Sequence, residues 1–531
     1  MARPAGRKSP PAPRRLAAID IGSNSIRQLI ADVSSAGAIR VVDEMKAHPR
    51  LGMGVHRTGA LDDGAMDRAI EALGRMADLA RQLDAQRVAS IATSAVREAS
   101  NGATFLRRVR QETGLTVHLI DGEREARLSF RSALAHFDLG RGRAIVMDLG
   151  GGSLELSLSA DGLIERLVSL PFGAVRMTER FLERGGRPRD LRALRDEVRE
   201  ALRTRLSARD WRGAQIIGSG GTFTNLAGMS LARRGIAAQT VHATRVRRSE
   251  IEHILDLLAT LPPAERAQIP GLSPARADII VAALAVVAEV LARVDARGLV
   301  VSGFGIREGL LLEMAEVRPV RADPGEGRER SVREFAERCH YEAPHAAQVQ
   351  RIALQLFDAL GTRLGLGAAD RGILADAALL HDIGYHINYD RHHKHSYHLI
   401  LHAGLLGVRP EEQVLIANVA RYHRGATPSP AQRNFAALDK PLRRRVRRIA
   451  ALLRLADGFD RGHVGAVAQV KVRLSERAIR LTVVPKPGAH TVRLDLWGAS
   501  RKAAPLADLL GVPFEIVGPD GAVLPGEDAA D

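Results

Sequence analysis

Short apolar runs that end in Gly, Asp and Ser alternate with helical periodicity through the first three fifths of the chain. Residues 16–33, LAAIDIGSNSIRQLIADV, predict a strand, a glycine turn and a second strand. Residues 144–158, AIVMDLGGGSLELSL, repeat that arrangement. The echo of strand, Asp-x-Gly-x-x-Ser and strand predicts two related lobes. Between them the pattern predicts helices near 62–84 and 101–113 and strands at 88–93 and 117–121. Beyond the second glycine turn it predicts helices near 173–206, then a strand at 214–219 that opens into GGTFTNLAGM. A long helix at 274–293, a strand at 298–303 and a closing helix at 305–315 follow. Strands alternating with helices predict an α/β sheet.

Further along, RADPGEGRERS (321–331) carries Pro, Gly and mixed charge without apolar periodicity, which predicts a linker. The expected organisation is a disordered tail at 1–15, lobe I at 16–140, lobe II at 141–320, the linker, a helical domain at 332–463 and a small α/β domain at 464–531. Composition agrees with several domains, because 531 residues exceed what one core usually holds. With 45% hydrophobic and 26% charged residues the chain resembles an ordinary soluble protein. No apolar run predicts a membrane span, and MARPAGRKSPPAPRR lacks the apolar stretch of a signal peptide. The single cysteine, Cys339, excludes an intramolecular disulfide and fits a reducing cytoplasm. A formal net charge of +16, carried mostly by Arg, suits a polyanionic partner such as a phosphate polymer.

Four glycine turns follow strands: Gly22-Ser23-Asn24-Ser25, Gly150-Gly151-Gly152-Ser153, Gly218-Ser219-Gly220-Gly221-Thr222 and Ser302-Gly303-Phe304-Gly305. Such turns expose backbone N–H groups that can cradle phosphate oxygens. Ser23, Asn24, Ser25, Gly151, Gly152, Ser153, Gly220, Gly221 and Thr222 are therefore the candidate phosphate-binding residues. Asp20 and Asp148 end strands beside two of these turns, and Glu155 lies on the strand after Ser153. Carboxylates so placed hold Mg²⁺ against phosphate oxygens. IDGEREARLSF (120–130) offers Glu123 and Glu125 as a base for water. TSAVREASN (93–101) offers Arg97 as a cation at a strand end.

The ordered set DIGSNS, ATSAVREASN, DGEREARL, DLGGGSLEL, SLPFGAVRMTE, GSGGTFTNLA, GLSPARADIIVAA and SGFGIREGLL resembles the exopolyphosphatase/guanosine pentaphosphate phosphatase family over residues 16–315. The resemblance implies an α/β actin-like (ribonuclease H-like) two-lobed fold with its active site between the lobes. It implies Mg²⁺-dependent attack of water on the terminal phosphate of polyphosphate or of pppGpp, and a homodimer. It places the catalytic base at Glu125, since Arg124 stands where relatives carry the first Glu of a pair; Glu123 is the alternative. It assigns Asp148 and Glu155 to the metal or water, and Arg97 to phosphate. Phe304 stands where many relatives have Gly, so that loop is expected to approach a ligand less closely.

In the second half His345, His381-Asp382, His423 and Asp457 each continue an apolar stripe and are expected to point inward. Buried His and Asp need partners, and a metal satisfies several at once. Their order resembles the HD phosphohydrolase superfamily, with His395 as a further ligand of the two-metal type and a second divalent metal implied. Long exopolyphosphatases also resemble this chain in carrying an HD-like second half. Arg443, Arg444, Arg445, Arg447 and Arg448 crowd one helix, a surface face or a track for a long polyanion. Nucleic acid is not expected there, because no aromatic platform accompanies the arginines. The leading expectation is an exopolyphosphatase, with pppGpp 5′-phosphohydrolase as the alternative. A nucleotide-responsive regulator or scaffold is the competing class, and the intact Glu125, Asp148 and Glu155 argue against it.

Overall fold

The computed structural model describes residues 12–183, 187–236, 240–317, 324–405, 407–475, 477–489 and 491–525. The chain divides into two compact units, one of Met1–Arg233 with Val241–Pro324 and one of Arg234–Thr240 with Gly325–Asp531.

The first unit holds two sheets. Strands β1 (Arg14–Ile21), β2 (Ile26–Val33), β3 (Ile39–Ala47), β4 (Arg87–Ala92) and β5 (Val117–Leu119) form a sheet in the order β3-β2-β1-β4-β5. Strands β6 (Arg143–Leu149), β7 (Leu154–Ala160), β8 (Leu163–Leu170), β9 (Gln215–Ser219), β10 (Arg245–Arg247) and β11 (Gly298–Val301) form another in the order β10-β11-β9-β6-β7-β8. In each, three antiparallel strands are followed by parallel ones. The run β8-β7-β6-β9-β11 thus repeats β3-β2-β1-β4-β5, and β10 adds an antiparallel edge. This duplicated sheet is the actin-like fold, and the sequence echo at Asp20 and Asp148 is its local signature.

The glycine turns match in detail. Gly22 N–H donates to Ser25 O at 3.1 Å and Gly150 N–H to Ser153 O at 3.0 Å. Each closes a tight hairpin that pairs Ile21 with Ile26 and Leu149 with Leu154.

Two helices bind the lobes together. Gly122–His136 packs against β6, β7 and β8 of the second sheet. The closing helix Ile306–Met314 packs on β1 and β2 of the first sheet rather than on its own lobe. They cross in contact because Gly309 has no side chain; a Cβ there would overlap the Leu128 carbonyl.

The expected long helix at 274–293 is broken. Pro274–Arg276 forms a 3₁₀ turn, and the α-helix runs over Ile280–Arg293. Residues Ile280 to Leu291 are all buried, so this helix is a core element without a polar face. Of the stretch 1–15 expected as a tail, residues 1–11 lie outside the described residues, and Arg14 and Arg15 open β1. Arg15 belongs to the strand because its guanidinium donates to Asp32 on β2 at 2.8 Å.

The second unit begins with the helix Pro324–Arg338, which occupies most of the stretch expected as a linker; residues 321–323 are outside the described ones. The helices Ala343–Leu360, Ala368–Leu380, His392–Leu401, Pro410–Arg421 and Lys440–Gly458 follow. Strands β12 (Val467–Leu474), β13 (Ile479–Pro485), β14 (Phe514–Val517) and β15 (Val523–Pro525) form a sheet in that order, with helices Arg493–Ser500 and Ala504–Leu510 between β13 and β14. One apolar core runs from Val332 to Ile516, so helices and sheet fold as one body. Among the described residues no helix is long and apolar enough to cross a membrane.

Candidate functional site

The two hairpin turns of the first unit face each other across a cavity of about 120 Å³. Its lining includes Asp20, Ser23, Asn24, Ser25, Asp148 and Gly151, with Ser219 and Gly220 from the third glycine turn. Side chains would not fit between the turns. A Cβ on Gly152 would overlap the Ser94 hydroxyl, and one on Gly173 would overlap the backbone of Gly151 and Gly152. Ser23 and Ser94 hydroxyls meet at 3.1 Å and tie the first turn to the end of β4.

Register decides the charges. Asp148 on β6 stands opposite Glu155 on β7, whereas Asp20 on β1 stands opposite Arg27 on β2. Two facing carboxylates repel. Hydroxyls occupy them: Ser129 donates to Asp148 and Ser169 to Glu155 at 3.0 Å. Asp20 Oδ1 is buried with no hydrogen-bond partner. Burial pushes Asp20 and Asp148 up to about 6. Burial, then the charge of Glu125, carries Glu155 well above the usual carboxylate range.

Helix phase separates the two candidate bases. Asp121 caps the helix Gly122–His136, accepting the Arg124 N–H at 2.8 Å. Glu123 then lies exposed, Arg124 pairs with Glu313, and Glu125 turns inward to 8% exposure. Arg97 Nη1 donates to Glu125 Oε1 at 2.8 Å and to Ile120 O at 2.6 Å. Burial outweighs that bond and holds the Glu125 carboxyl at about 7. Neither glutamate is part of the cavity lining, nor are Arg97 and Glu155; Glu125, unlike Glu123, is buried close enough to the lining residues Asp20 and Asp148 to feel their charges.

Three cations were not picked from the sequence. Arg27, Arg276 and Arg307 all line the cavity. Arg276, itself buried, lies over Gly221, where a Cβ would overlap its guanidinium, and reaches Thr222 Oγ1 at 3.4 Å. Gly221 and Thr222 therefore seat an arginine rather than face the cavity. The GLSPARAD motif carried Arg276, and the Pro274 turn aims it. Arg27 was legible as the residue facing Asp20 once the hairpin register was known. Phe304 stacks on His136 with ring centroids 3.9 Å apart, and its carbonyl accepts from Ser302 at 2.7 Å and Ser219 at 3.2 Å.

The expected Mg²⁺ ligands Asp20, Asp148 and Glu155 do not close into a three-ligand cage among the described residues. Mg²⁺ fits nonetheless in its usual manner, held by one or two carboxylates with phosphate oxygens and water completing its shell. The orphaned Asp20 oxygen and the repelling Asp148–Glu155 pair are what such a cation would satisfy. The titration has a consequence for stability. Glu125 is raised from its ordinary 4.5 to about 7, so its stabilising contribution is complete below about 4.5 and lost as pH rises through about 7. Asp20 and Asp148 act in the same direction. The metal-free protein is therefore expected to melt at lower temperature at pH 8 than at pH 5. Mg²⁺ should raise the melting temperature more at pH 8 than at pH 5. Differential scanning fluorimetry with and without Mg²⁺ reads this; an equal Mg²⁺ effect at both values would refute it.

The second unit gathers a different cluster. Ligand atoms of His345, His381 and Asp457, and those of His381, Asp382 and His423, lie within 4.8 Å of one another. The outer ring nitrogens fix the tautomers. Nδ1 of His381 lies 2.8 Å from Ala378 O and Nδ1 of His423 lies 2.7 Å from Ala420 O. A carbonyl only accepts, so each Nδ1 carries the proton and each Nε2 turns a lone pair inward. His345 Nδ1 donates to buried Asp460 at 2.8 Å, and its Nε2 lies 3.3 Å from that of His381. Two lone pairs at that distance require a proton or a cation between them. Burial would lower His345, but the hydrogen bonds to Asp457 and Asp460 carry it up to about 10, so a proton stays in the metal-free cluster. Asp382 Oδ1, buried, has no hydrogen bond although His392 and His423 Nε2 stand 3.1 and 3.3 Å away.

His395 is not part of this cluster; it is His392 whose Nε2 stands 3.1 Å from Asp382 Oδ1. Both sit in the run HHKH, and only the start of the helix His392–Leu401 decides which ring meets Asp382. Asp460, one turn beyond Asp457, and Lys502, paired with Asp457, were also missed.

Comparison with known proteins agrees with both units. A family model described as the Ppx/GppA phosphatase family matches residues 29–317, and one described as Ppx/GppA phosphatase, domain III, matches 328–491. The crystal structure of the Aquifex aeolicus member of the Ppx/GppA protein family is 29% identical, covering 57% of this chain and 98% of that one with a TM-score of 0.50. An exopolyphosphatase from Cytophaga hutchinsonii is 27% identical, covering 58% of this chain and 99% of its own with a TM-score of 0.53. A structure described as an exopolyphosphatase-like protein is 28% identical, with a TM-score of 0.52 over 57% of this chain and 99% of that one.

Proposed function

This chain belongs to the Ppx/GppA phosphatase family, and from that premise we propose that it is an exopolyphosphatase, releasing terminal orthophosphate from inorganic polyphosphate. The family implies a hydrolase acting on phosphoanhydrides. The observation that carries the finer reading is the buried Glu125 carboxyl at about 7, bonded to Arg97. It belongs to the same buried carboxylate cluster as the cavity aspartates Asp20 and Asp148, whose charges help to raise it. A base poised near neutrality suits proton abstraction from water.

In this reading the turns at 22–25 and 150–153 and Gly220 cradle the terminal phosphate through backbone N–H groups. Arg27, Arg276 and Arg307 offset its charge. Arg97 leaves Glu125 for a phosphate oxygen. Glu125 takes a proton from water as its oxygen attacks phosphorus; the anhydride P–O bond breaks, and orthophosphate departs from a chain shorter by one unit. Asp20, Asp148 and Glu155 would hold Mg²⁺, which when bound neutralises charge on the phosphate oxygens. Attack by water fits a buried carboxyl poised near neutrality beside the cavity aspartates.

Polyphosphate is favoured over pppGpp by the cavity. Its volume of about 120 Å³ suits phosphoryl groups, and the aromatic residue in its lining, Phe304, already stacks on His136. Lys46 continues the cationic surface past Arg27, although burial, then Arg27, brings it down to about 8; burial, then Lys46, lowers His48 and favours its neutral form. Purified protein is expected to release orthophosphate from long polyphosphate with the higher kcat/KM. Preference for pppGpp would instead make it the pentaphosphate 5′-phosphohydrolase. Arg276→Gln should raise KM roughly tenfold to a hundredfold with a smaller change in kcat, since a charge-assisted hydrogen bond contributes about 1.5–3 kcal/mol. An unchanged KM would remove Arg276 from substrate binding. A cytoplasmic location and a homodimer belong to the same proposal; light scattering tests the second.

For the second unit we propose an HD-like metal site held by His345, His381, Asp382, His423 and Asp457, with His392 beside it. The inward Nε2 lone pairs and the orphaned Asp382 oxygen support it. Elemental analysis of the full chain after dialysis against Mn²⁺, beside a His381→Ala/Asp382→Ala variant, tests it. Equal metal in both would count against the cage.

A further inference from the structure

The first unit holds another cavity, of about 500 Å³, lined by different residues from the glycine-turn cavity. Val175, Leu182, Leu261, Ile279 and Val281 give it apolar walls. Glu179, Glu183 and Asp278 stand among them, against Arg266. The Arg266 guanidinium is already engaged, donating to Leu258 O at 2.8 Å and to Ala277 O at 3.3 Å. Asp278 Oδ2 accepts from Arg50 at 2.8 Å, while its Oδ1 is buried without a hydrogen bond. Such a lining repels a phosphate chain, so this cavity is no path for polyphosphate. Carboxylates set between apolar walls match the opposite kind of ligand: hydrocarbon lies on the walls and cationic donors reach the carboxylates.

The elements that build this cavity also hold the two facing glycine turns. Thr178–Leu182 is wound as a π-helix, a rare form that recurs at functional sites. It continues the helix Ala174–Met177, whose Val175 N–H donates to Gly151 O at 2.9 Å. From the other lobe comes Met53, which also lines the cavity. Its neighbour Gly52 donates its N–H to Ser23 O at 2.7 Å, and its neighbour Gly54 donates to Glu179 Oε1 at 2.8 Å. The cavity wall is thus hydrogen-bonded to the turn at 22–25 on one side and to the turn at 150–153 on the other.

We propose that this cavity binds an aliphatic polyamine, with methylenes on the apolar walls and ammonium groups at Glu179, Glu183 and Asp278, and that its occupancy steadies both glycine turns and so favours hydrolysis. The binding site stands on its own lining. The effect on hydrolysis rests on the exopolyphosphatase reading above. A bound cation between Glu179 and Asp278 joins the helix at 174–182 to the segment at 50–54 and lowers the cost of ordering the turns around a phosphate.

Isothermal titration calorimetry of the full chain with spermidine, without polyphosphate, tests the site. Saturable binding is expected, at least about tenfold weaker in the double variant Glu183→Gln with Thr260→Arg, which removes one lining carboxylate and adds a like charge. Both residues are exposed, so folding should stay intact, and circular dichroism checks this. Glu179 is left in place because it holds the Gly54 N–H. Absence of saturable binding, or equal binding in the double variant, overturns the site. Displacement of spermidine by ammonium ion at equal charge would mark a plain counter-ion effect and overturn it as well. The rate arm measures kcat/KM for a short polyphosphate with Mg²⁺. Spermidine is expected to raise it about twofold or more in the wild type and to lose that effect in the double variant. Spermidine that merely sequesters substrate would lower it equally in both. Binding without a rise, or the same change in both proteins, overturns the coupling and leaves the site standing. A wild type that releases no orthophosphate overturns the exopolyphosphatase reading, and calorimetry still decides the site.

Discussion

Glu125→Gln is expected to lower kcat for orthophosphate release by about 10²–10⁴-fold, the usual contribution of a positioned general base. KM should change little, because Gln keeps an oxygen for the Arg97 N–H that now lies 2.8 Å from Glu125 Oε1. Folding should not suffer. The carboxyl is buried and raised to about 7, so at pH 8 the neutral amide removes a buried charge and the melting temperature should hold or rise. A single-turnover assay with polyphosphate separates the outcomes. Full activity in Glu125→Gln would eliminate the assigned base, and a large rise in KM alone would make Glu125 a binding residue. The wild-type rate should climb with pH through about 7 as Glu125 ionises; Glu125→Gln should lose that limb.

Gly173→Ala is the second large effect. Gly173 has φ −68° and ψ 155°, a conformation any residue adopts, so alanine brings no backbone strain of its own. Its methyl would instead overlap the backbone of Gly151 and Gly152. Backbone cannot rotate away as a side chain can, so the 150–153 turn must shift. Overpacking of this kind costs about 1–3 kcal/mol. A displacement near 1 Å at a reacting centre costs on the order of 10²-fold in rate. Activity is therefore expected to fall about 100-fold while the protein remains folded, as read by circular dichroism and a melting curve. Wild-type kcat/KM in a folded Gly173→Ala would show that the 150–153 turn does not hold the substrate.

Much of the first unit was legible because its signals are local. A strand, an Asp and a glycine hairpin lie within eighteen residues, and the repeat at 144–158 reveals the second lobe. Arg97, Glu125, Asp148 and Glu155 could be picked as candidates for the same reason, each lying close to a strand end or a helix start. Helix phase then separated Glu125 from Glu123, which the one-letter pattern left open. Hairpin register set Asp148 against Glu155 and Asp20 against Arg27, and nothing in the spacing stated that opposition.

The arginines show where local reading stops. Arg27, Arg276 and Arg307 lie far apart along the chain, and the excess of Arg elsewhere hid them. Only the fold brings them to one cavity. The closing helix Ile306–Met314 likewise reads as part of the second lobe, yet it crosses to the first because its apolar face completes the core under β1 and β2. In the second unit the His and Asp order was visible, but HHKH offered neighbouring rings of equal chemistry. The start of one helix selects His392 over His395. Lys502 joins that site from a segment past the helical domain, which no periodicity links to it. What the sequence alone determined was the repeated strand–turn unit and the chemistry at its ends, because those depend on neighbours a few residues away. What the tertiary structure decided was which charges face one another, because that depends on register, helix phase and chain crossings set by packing at long range.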